Sequence, residues 1–295
     1  MQGPDGARYS GVMQRDSPDP VIPVRSLPMK SRTQRIKASI KGGVSQVIFG
    51  ARLHYRLLAG TAAVVTFHRV NNMTTGDTLT CSVDLFRQYC QFFADYFNVV
   101  SLPEVVTKLE ERRPLDRELA ITFDDGYRDS FDYAAPVLKA MGLPATFFVV
   151  TQFIGTEFVA SWDRDQRVRH PWMTWNEVRS LHAEGFDVGA HTRTHPRMAG
   201  VSTAEARAEI LGSRLELEQQ LGGPVTLFAH PYGRHTEITE EHRAIVREAG
   251  FRCCCSCAGG VNVTGADPFH LQRIAISSWD ASPQHLGCDL VFRRA

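Results

Sequence analysis

The chain has 295 residues, 43% of them hydrophobic, and a formal net charge of +1. Length and composition suit one large domain, or two small ones, with a real core, and the near-zero charge supplies no field to gather nucleic acid. No apolar run reaches the roughly 18 residues of a spanning helix, and the opening MQGPDGARYSGVMQRDSPDP lacks the apolar centre of a signal peptide.

Residues 1–29 are rich in Gly, Pro and Ser, show little periodicity and are expected to be disordered, with Met29 a second candidate start. Residues 30–60 form a basic arm. Lys30, Arg32, Arg35, Lys37, Lys41, Arg52 and Arg56 occur there without any acid, and Ile36, Ile40, Val44, Val47 and Ile48 recur at helical spacing. Such a helix can lie on an anionic membrane surface or pack on the outside of the domain; a transit peptide is a third reading. Removing residues 1–58 is expected to leave the fold intact.

From 61 to 295 strands and helices alternate. AAVVTF (62–67) reads as a buried strand ending at His68, and VDLFRQYCQFFADYF (83–97) and SLPEVVTKLEERR (101–113) as helices. LAITF (119–123) is a strand running into Asp124, Asp125 and Gly126. DSFDYAAPVLKAMG (129–142) is a helix stopped by Gly142, and PATFFVV (144–150) a strand. Thr174 followed by Glu177 is a capping-box pattern opening a helix over 174–185. Then come a strand at 186–191, a helix at 202–222, a strand and turn at 225–233, a helix at 239–250, and strands at 251–257 and 271–276. The alternation predicts an α/β fold of about seven parallel strands joined by right-handed crossovers. No GxGxxG follows the first strand, which argues for a (β/α) barrel over a dinucleotide fold.

There are seven cysteines, four of them within CCCSC at 253–257. The odd count and the missing signal favour a reducing, cytoplasmic setting over a disulfide framework. CCCSC reads as a strand with cysteine as small apolar filler, because the second cysteine pair of a zinc knuckle is absent.

Barrels of this kind carry reactive side chains just past their strand ends. His68, Asp124, Asp125, His191, His195 and the run His230-Pro231-Tyr232-Gly233 all fall there. His191 and His195 are spaced i, i+4, which on a helical turn puts both imidazoles on one face. Two histidines and a carboxylate make a three-ligand metal site with open positions, for zinc or as a facial triad for ferrous iron. One aspartate of the adjacent pair can then be a ligand, while the other takes a proton from water at the metal. The Tyr232 backbone N–H could hold an oxyanion and His68 could be the acid, which together amount to ester or amide hydrolysis.

These residues carry a resemblance. TFDDGY (122–127), HTRTH (191–195) and FAHPYG (228–233), with VVTFHRV (64–70), PWMTWNEVRSLHAEGFDVGAH (171–191) and LQRI (271–274), resemble the polysaccharide deacetylases of the NodB-homology carbohydrate esterase group. The likeness covers about residues 60 to 280. It implies a distorted (β/α) barrel, a catalytic domain over 61–295, and a divalent metal, usually zinc, with Co2+, Ni2+ or Fe2+ as alternatives. It implies Asp124 as general base and Asp125, His191 and His195 as metal ligands. The subgroup whose first strand ends in His-Arg, which resembles deacetylases of exopolysaccharides such as poly-N-acetylglucosamine, gives the acid role to the equivalent of His68.

Two departures stand out. The arginine that often orients the base near Pro-Tyr is replaced by Ala229, and LQRI offers Arg273 where a Leu-x-His donor is common. His230, Pro231, Tyr232 and Trp172 are expected to line the substrate, and Trp162 and Trp175 lie in the same stretch, where indoles can stack on sugar faces. The implied reaction is removal of N-acetyl, or a related acyl group, from amino sugars of a polysaccharide or lipid-linked glycan. A small-molecule amidohydrolase and a non-catalytic glycan-binding module are the alternatives.

Overall fold

The computed structural model describes residues 32–74, 77–164, 168–276 and 282–292; the expectations for residues 1–29 and Lys30 lie outside them. Two helices lead in, α1 (Arg32–Gly50) and α2 (His54–Leu57). Next come β1 (Thr61–Phe67) and a small parallel pair, β2 (Arg69–Val70) with β3 (Thr80–Cys81). Then follow α3 (Val83–Tyr96), β4 (Asn98–Val99), α4 (Leu102–Glu110), β5 (Glu118–Phe123), a π turn at Ser130–Ala134, α5 (Ala135–Met141) and β6 (Ala145–Val149). The described chain finishes with α6 (Trp175–Ala183), β7 (Asp187–Ala190), α7 (Thr203–Leu221), α8 (Glu240–Glu248), β8 (Asn262–Val263), β9 (Ile274–Ala275) and α9 (Pro283–Phe292).

The helices begin where a side-chain oxygen can take an orphan backbone N–H. Ser82 and Ser101 cap α3 and α4, and Thr174–Glu177 and Ser202–Glu205 form reciprocal boxes on α6 and α7. Helix α5 stops at Gly142, whose φ of 63° is left-handed and costs glycine little.

The main sheet has the order β7-β6-β5-β1-β8, with β4 also on β5 and β9 also on β1; β8 is its antiparallel member. Beyond β7 the ring continues through single parallel bridges, Ala190–Phe228, Ala229–Cys255 and Cys255–Leu271, before β9 returns to β1. The result is a distorted (β/α) barrel. The stretches at 225–233 and 251–257 contribute bridges rather than the regular strands expected. Their backbones are drawn together where the Cys257 N–H donates to Gly233 O at 2.6 Å. A Cβ on Gly233 would come within 2.4 Å of the Cys257 nitrogen, so this corner bends instead of running extended.

Every residue of β1 is buried, and its side chains alternate between two cores. Val65 and Phe67 face outward to the helices, where the Phe67, Phe123 and Phe147 rings stack in sequence at 5.6 and 4.7 Å. Ala62 and Val64 face the barrel interior with Phe148, Ala229 and Leu271. The cysteine run alternates likewise: Cys253 and Cys255 fill the interior and Cys254 the outer core. All seven cysteines are thiols.

Packing does not stop at residue 60. Ile48, Phe49, His54 and Leu58 are buried, Phe49 sits 5.0 Å from Phe92, and Lys41 pairs with Asp289 of α9 at 2.5 Å. Deleting residues 1–58 would therefore strip part of the core, contrary to the expectation from sequence. The outer side of α1 leaves Ile40 and Val47 more than 60% exposed. No helix among the described residues is long and apolar enough to cross a membrane.

Candidate metal and catalytic site

The C-terminal ends of β1, β5 and β7 deliver the site. After β5 the chain turns sharply. The Asp124 N–H donates to Phe67 O (2.9 Å), Asp125 takes a left-handed φ of 73°, and Gly126 follows at 89°. A Cβ at Gly126 would meet Ile154 at 2.8 Å, so the turn needs both the freedom and the smallness of glycine. A non-glycine left-handed residue carries a backbone cost that the surrounding structure must offset. Here it swings two adjacent carboxylates into different surroundings.

Asp125 faces two histidines. His191 Nε2 lies 3.5 Å and His195 Nε2 3.4 Å from its Oδ1. That oxygen takes no well-formed hydrogen bond, and all three residues are buried with ligand atoms within 4.8 Å of one another. His191 Nδ1 is 2.8 Å from the Ala229 carbonyl, so it carries the proton and leaves the Nε2 lone pair free towards Asp125. The imidazoles converge, 5.1 Å apart, but not on a helical turn as the spacing suggested. Thr192 (φ 65°) and His195 (φ 59°) are left-handed, and the His195 N–H closes the loop on Thr192 Oγ1 at 3.1 Å. Burial alone would raise the Asp125 carboxyl; hydrogen bonding to the two imidazoles in their protonated form outweighs it and holds the carboxyl well below the usual range. Burial lowers His195 from its ordinary value, keeping it neutral and able to ligate. An orphaned carboxylate oxygen and two imidazole nitrogens aimed at one point fit a divalent cation.

Asp124 is held differently. Arg273, fully buried, donates from Nη1 to Oδ1 (2.7 Å) and from Nη2 to Oδ2 (2.8 Å). Burial works against its ionisation, but the guanidinium more than offsets this and keeps Asp124 below the ordinary range. Arg273 is itself fixed by Ser256 O and Thr122 Oγ1. It thus supplies, from the segment before β9, the ion pair that Ala229 cannot, and sequence reasoning did not assign it that role. The available signal was an arginine inside the apolar run LQRIAI.

His68 follows β1 and is half-buried. Its carbonyl accepts from Ser130 Oγ. Tyr232 is left-handed (φ 58°); its ring lies 4.9 Å from His195 and under the Arg197 guanidinium at 4.3 Å.

Three expected substrate contacts need correction. His230 is 1% exposed and packs on Phe228 beside His242; burial, then His242, pushes it well below its ordinary value. Pro231 is buried as well. Trp172 is 4% exposed, stacked on Tyr127 at 4.4 Å, with Nε1 donating to Phe158 O. Each of these presents almost no accessible side-chain surface. The indole beside the Asp125, His191 and His195 cluster is Trp162, half-buried, 4.8 Å from His195.

A family profile described as Polysaccharide deacetylase matches residues 111–254, the span from just before β5 to the cysteine run. YxkH of Bacillus subtilis (strain 168) is 22% identical over 209 residues, 70% of this chain and 69% of that protein. The peptidoglycan-N-acetylglucosamine deacetylase PgdA of Listeria monocytogenes is 28% identical over 144 residues, 48% of this chain but only 26% of that longer protein. The structure of the Streptococcus pyogenes deacetylase PplD superposes with a TM-score of 0.65 at 22% identity, covering 77% of this chain and 96% of that one, which shows the same fold. The matched span contains Asp124, Asp125, His191 and His195, and the barrel around it is the fold the neighbouring structure shares; residues 111–254 match the polysaccharide deacetylase family.

Proposed function

We propose that this chain hydrolyses N-acetyl groups on amino sugars of a glycan, using a divalent cation held by Asp125, His191 and His195. The observation that carries the reading is the split between neighbours: Asp125 is aimed at two imidazoles, and Asp124 is clamped by Arg273. A cation bound by those three residues would act as a Lewis acid, polarising the amide carbonyl and acidifying water. Asp124, ionised and fixed in direction, accepts the proton of the attacking water as its oxygen bonds to the acyl carbon. The Tyr232 backbone N–H is placed in the role of donor to the developing oxyanion. His68 gives its proton to the leaving nitrogen as the C–N bond breaks, so the products are acetate and a free amine. One carboxylate and two imidazoles are a borderline donor set that suits Zn2+, with Co2+, Ni2+ and Fe2+ next.

Acetate release from N-acetylglucosamine oligomers tests this, with and without chelator, for the wild type and Asp124→Asn. The expected result is release by the wild type that is lost with either change. Equal release by both proteins would remove Asp124 from the mechanism. Sugar and metal binding without any release would favour the glycan-binding module, and turnover of small amides alone the amidohydrolase.

Residues 32–60 support a second proposal, contact with an anionic membrane surface. Helix α1 exposes Ile40, Val44 and Val47 on one side, Leu53, Tyr55 and Leu57 follow, and exposed Arg52 and Arg56 lie among them without any acid. Apolar side chains with a basic rim suit an acidic lipid surface.

A further inference from the structure

A buried polar chain that the proposed chemistry does not use ties three loops of the site together. Arg69, one residue past His68, is fully buried and donates to Asp163 Oδ1 (2.7 Å) and Asp77 Oδ1 (3.1 Å). Tyr127, two residues past Asp125, donates its hydroxyl to Asp163 Oδ2 at 2.6 Å. The same hydroxyl accepts the Nε1–H of Trp162 at 2.7 Å. Arg69 also lies 5.2 Å over the Tyr127 ring. Both oxygens of Asp163, both roles of the Tyr127 hydroxyl and the one polar atom of Trp162 are therefore engaged. Burying an arginine among carboxylates is costly, and apolar packing would be the cheaper way to fill the space. What the chain achieves is placement, and the side chain at its end is Trp162.

Trp162 packs by one side against the cluster of Tyr127, Phe153 and Trp172. Its ring stands 4.8 Å from His195 and 6.4 Å from Tyr232, nearly perpendicular to the latter, and it stays partly exposed. Trp172 is sealed inside and Trp175 packs on the outer core, so neither competes for this place. A fixed indole beside a polar site is a good surface for the C–H face of a pyranose, because the ring loses little freedom on binding.

We infer that Trp162 is the sugar-binding wall of the site: its open face takes the ring that carries the acyl group, and Arg69, Asp163 and Tyr127 are positioning residues that hold it there. This rests on the deacetylase reading above. Calorimetry on zinc-loaded Asp124→Asn protein with N-acetylglucosamine oligomers reads binding without turnover. Adding Trp162→Ala there should weaken binding by about tenfold, and Trp162→Phe by less. In the active background the same substitutions should raise KM by a similar factor while kcat and zinc content hold. Tyr127→Phe keeps the packing but frees the indole; it should raise KM and make Trp162 easier to quench with acrylamide, whereas a purely structural role would lower the unfolding midpoint and spare KM. Folded Trp162→Ala and Trp162→Phe proteins with wild-type affinity and KM would overturn the wall while leaving the deacetylase reading standing. A wild type that neither binds nor deacetylates the oligomers would overturn both.

Discussion

Arg273 reaches Asp124 across 149 positions of chain and gives each carboxylate oxygen its own hydrogen bond, at 2.7 and 2.8 Å. The pair is wholly inside the protein, with side-chain exposures of 0% and 2%. A lone buried carboxylate would recover its proton; this one stays charged because the guanidinium is planar, always protonated and matched to it in a fork. The pair also fixes the carboxylate plane, as the proposed base role requires of a group that must meet a water from one direction.

Arg273→Lys should therefore damage turnover more than binding. An ammonium cannot hold both oxygens, so kcat should fall by about 10²-fold, the cost of an ångström-scale misplacement, with KM little changed. Arg273→Leu should also destabilise the fold by about 3–5 kcal/mol, because it strands a buried charge. Steady-state kinetics and urea unfolding read the two effects. A lysine variant with wild-type kcat would remove Arg273 from the orientation of the base.

The three-residue cation site makes a prediction that needs no substrate. Added Zn2+ should raise the unfolding midpoint of the wild type, since a ligand bound by the folded state alone stabilises it. His195→Ala removes one of the converging donors and should abolish that rise, along with stoichiometric zinc on metal analysis. Equal zinc stabilisation of the two proteins would place the cation elsewhere.

The Asp125, His191 and His195 cluster and the barrel were legible because their signals are local: each motif sits on a strand end, and strand–helix alternation names the barrel. What sequence missed depends on chain segments meeting from afar. Arg273 looked like a substitute proton donor because its partner lies in another motif. Spacing could not tell an indole stacked inside on Tyr127, Trp172, from one that is half-buried and hydrogen-bonded to the Tyr127 hydroxyl, Trp162. The i, i+4 spacing of His191 and His195 suggested a helix, yet the left-handed Thr192 and His195 bring the rings together in a loop. His230 follows a strand end, but the bend at Pro231 to Gly233 leaves it inside. The basic arm was read as detachable because its buried residues, Ile48 and Phe49, are neighbours in sequence of the exposed Val47.

Asp129 gives the stability a pH dependence. Burial, only partly offset by the Asn71 amide at 2.5 Å, pushes its carboxyl up to about 6. A carboxyl raised on folding binds its proton more tightly in the folded state. Its contribution is fully present below the unfolded value of 3.8 and is lost as pH rises through about 6. The loss amounts to about 2–3 kcal/mol at pH 7. Asp129→Asn cannot ionise, so the difference in unfolding free energy between variant and wild type should shift in the variant's favour by that amount between pH 4 and 7. Parallel curves from urea titrations across that window would show that Asp129 titrates alike in both states.

The exposed side of α1 supports the last prediction. Ile40 and Val47 are 61% and 64% exposed, with Val44 between them on the same side of the helix. The opposite side, with Ser45, Ile48 and Phe49, is committed to the core. Point changes on the outer stripe therefore probe the membrane proposal without the damage a deletion would cause. Burying such side chains in lipid is worth about 1.5–3 kcal/mol each, and nearby basic residues add about 1 kcal/mol apiece on an acidic surface. Wild-type protein should sediment with phosphatidylglycerol vesicles, far less with phosphatidylcholine, and should be released by salt. Ile40→Glu with Val47→Glu should cut binding by about 100-fold or more, since each change forfeits its burial and adds repulsion. The acetate-release rate on soluble oligomers should be unaffected. Equal sedimentation of the variant and the wild type would show that this stripe is not the contact, and a wild type that ignores acidic vesicles would leave α1 as a packing helix alone.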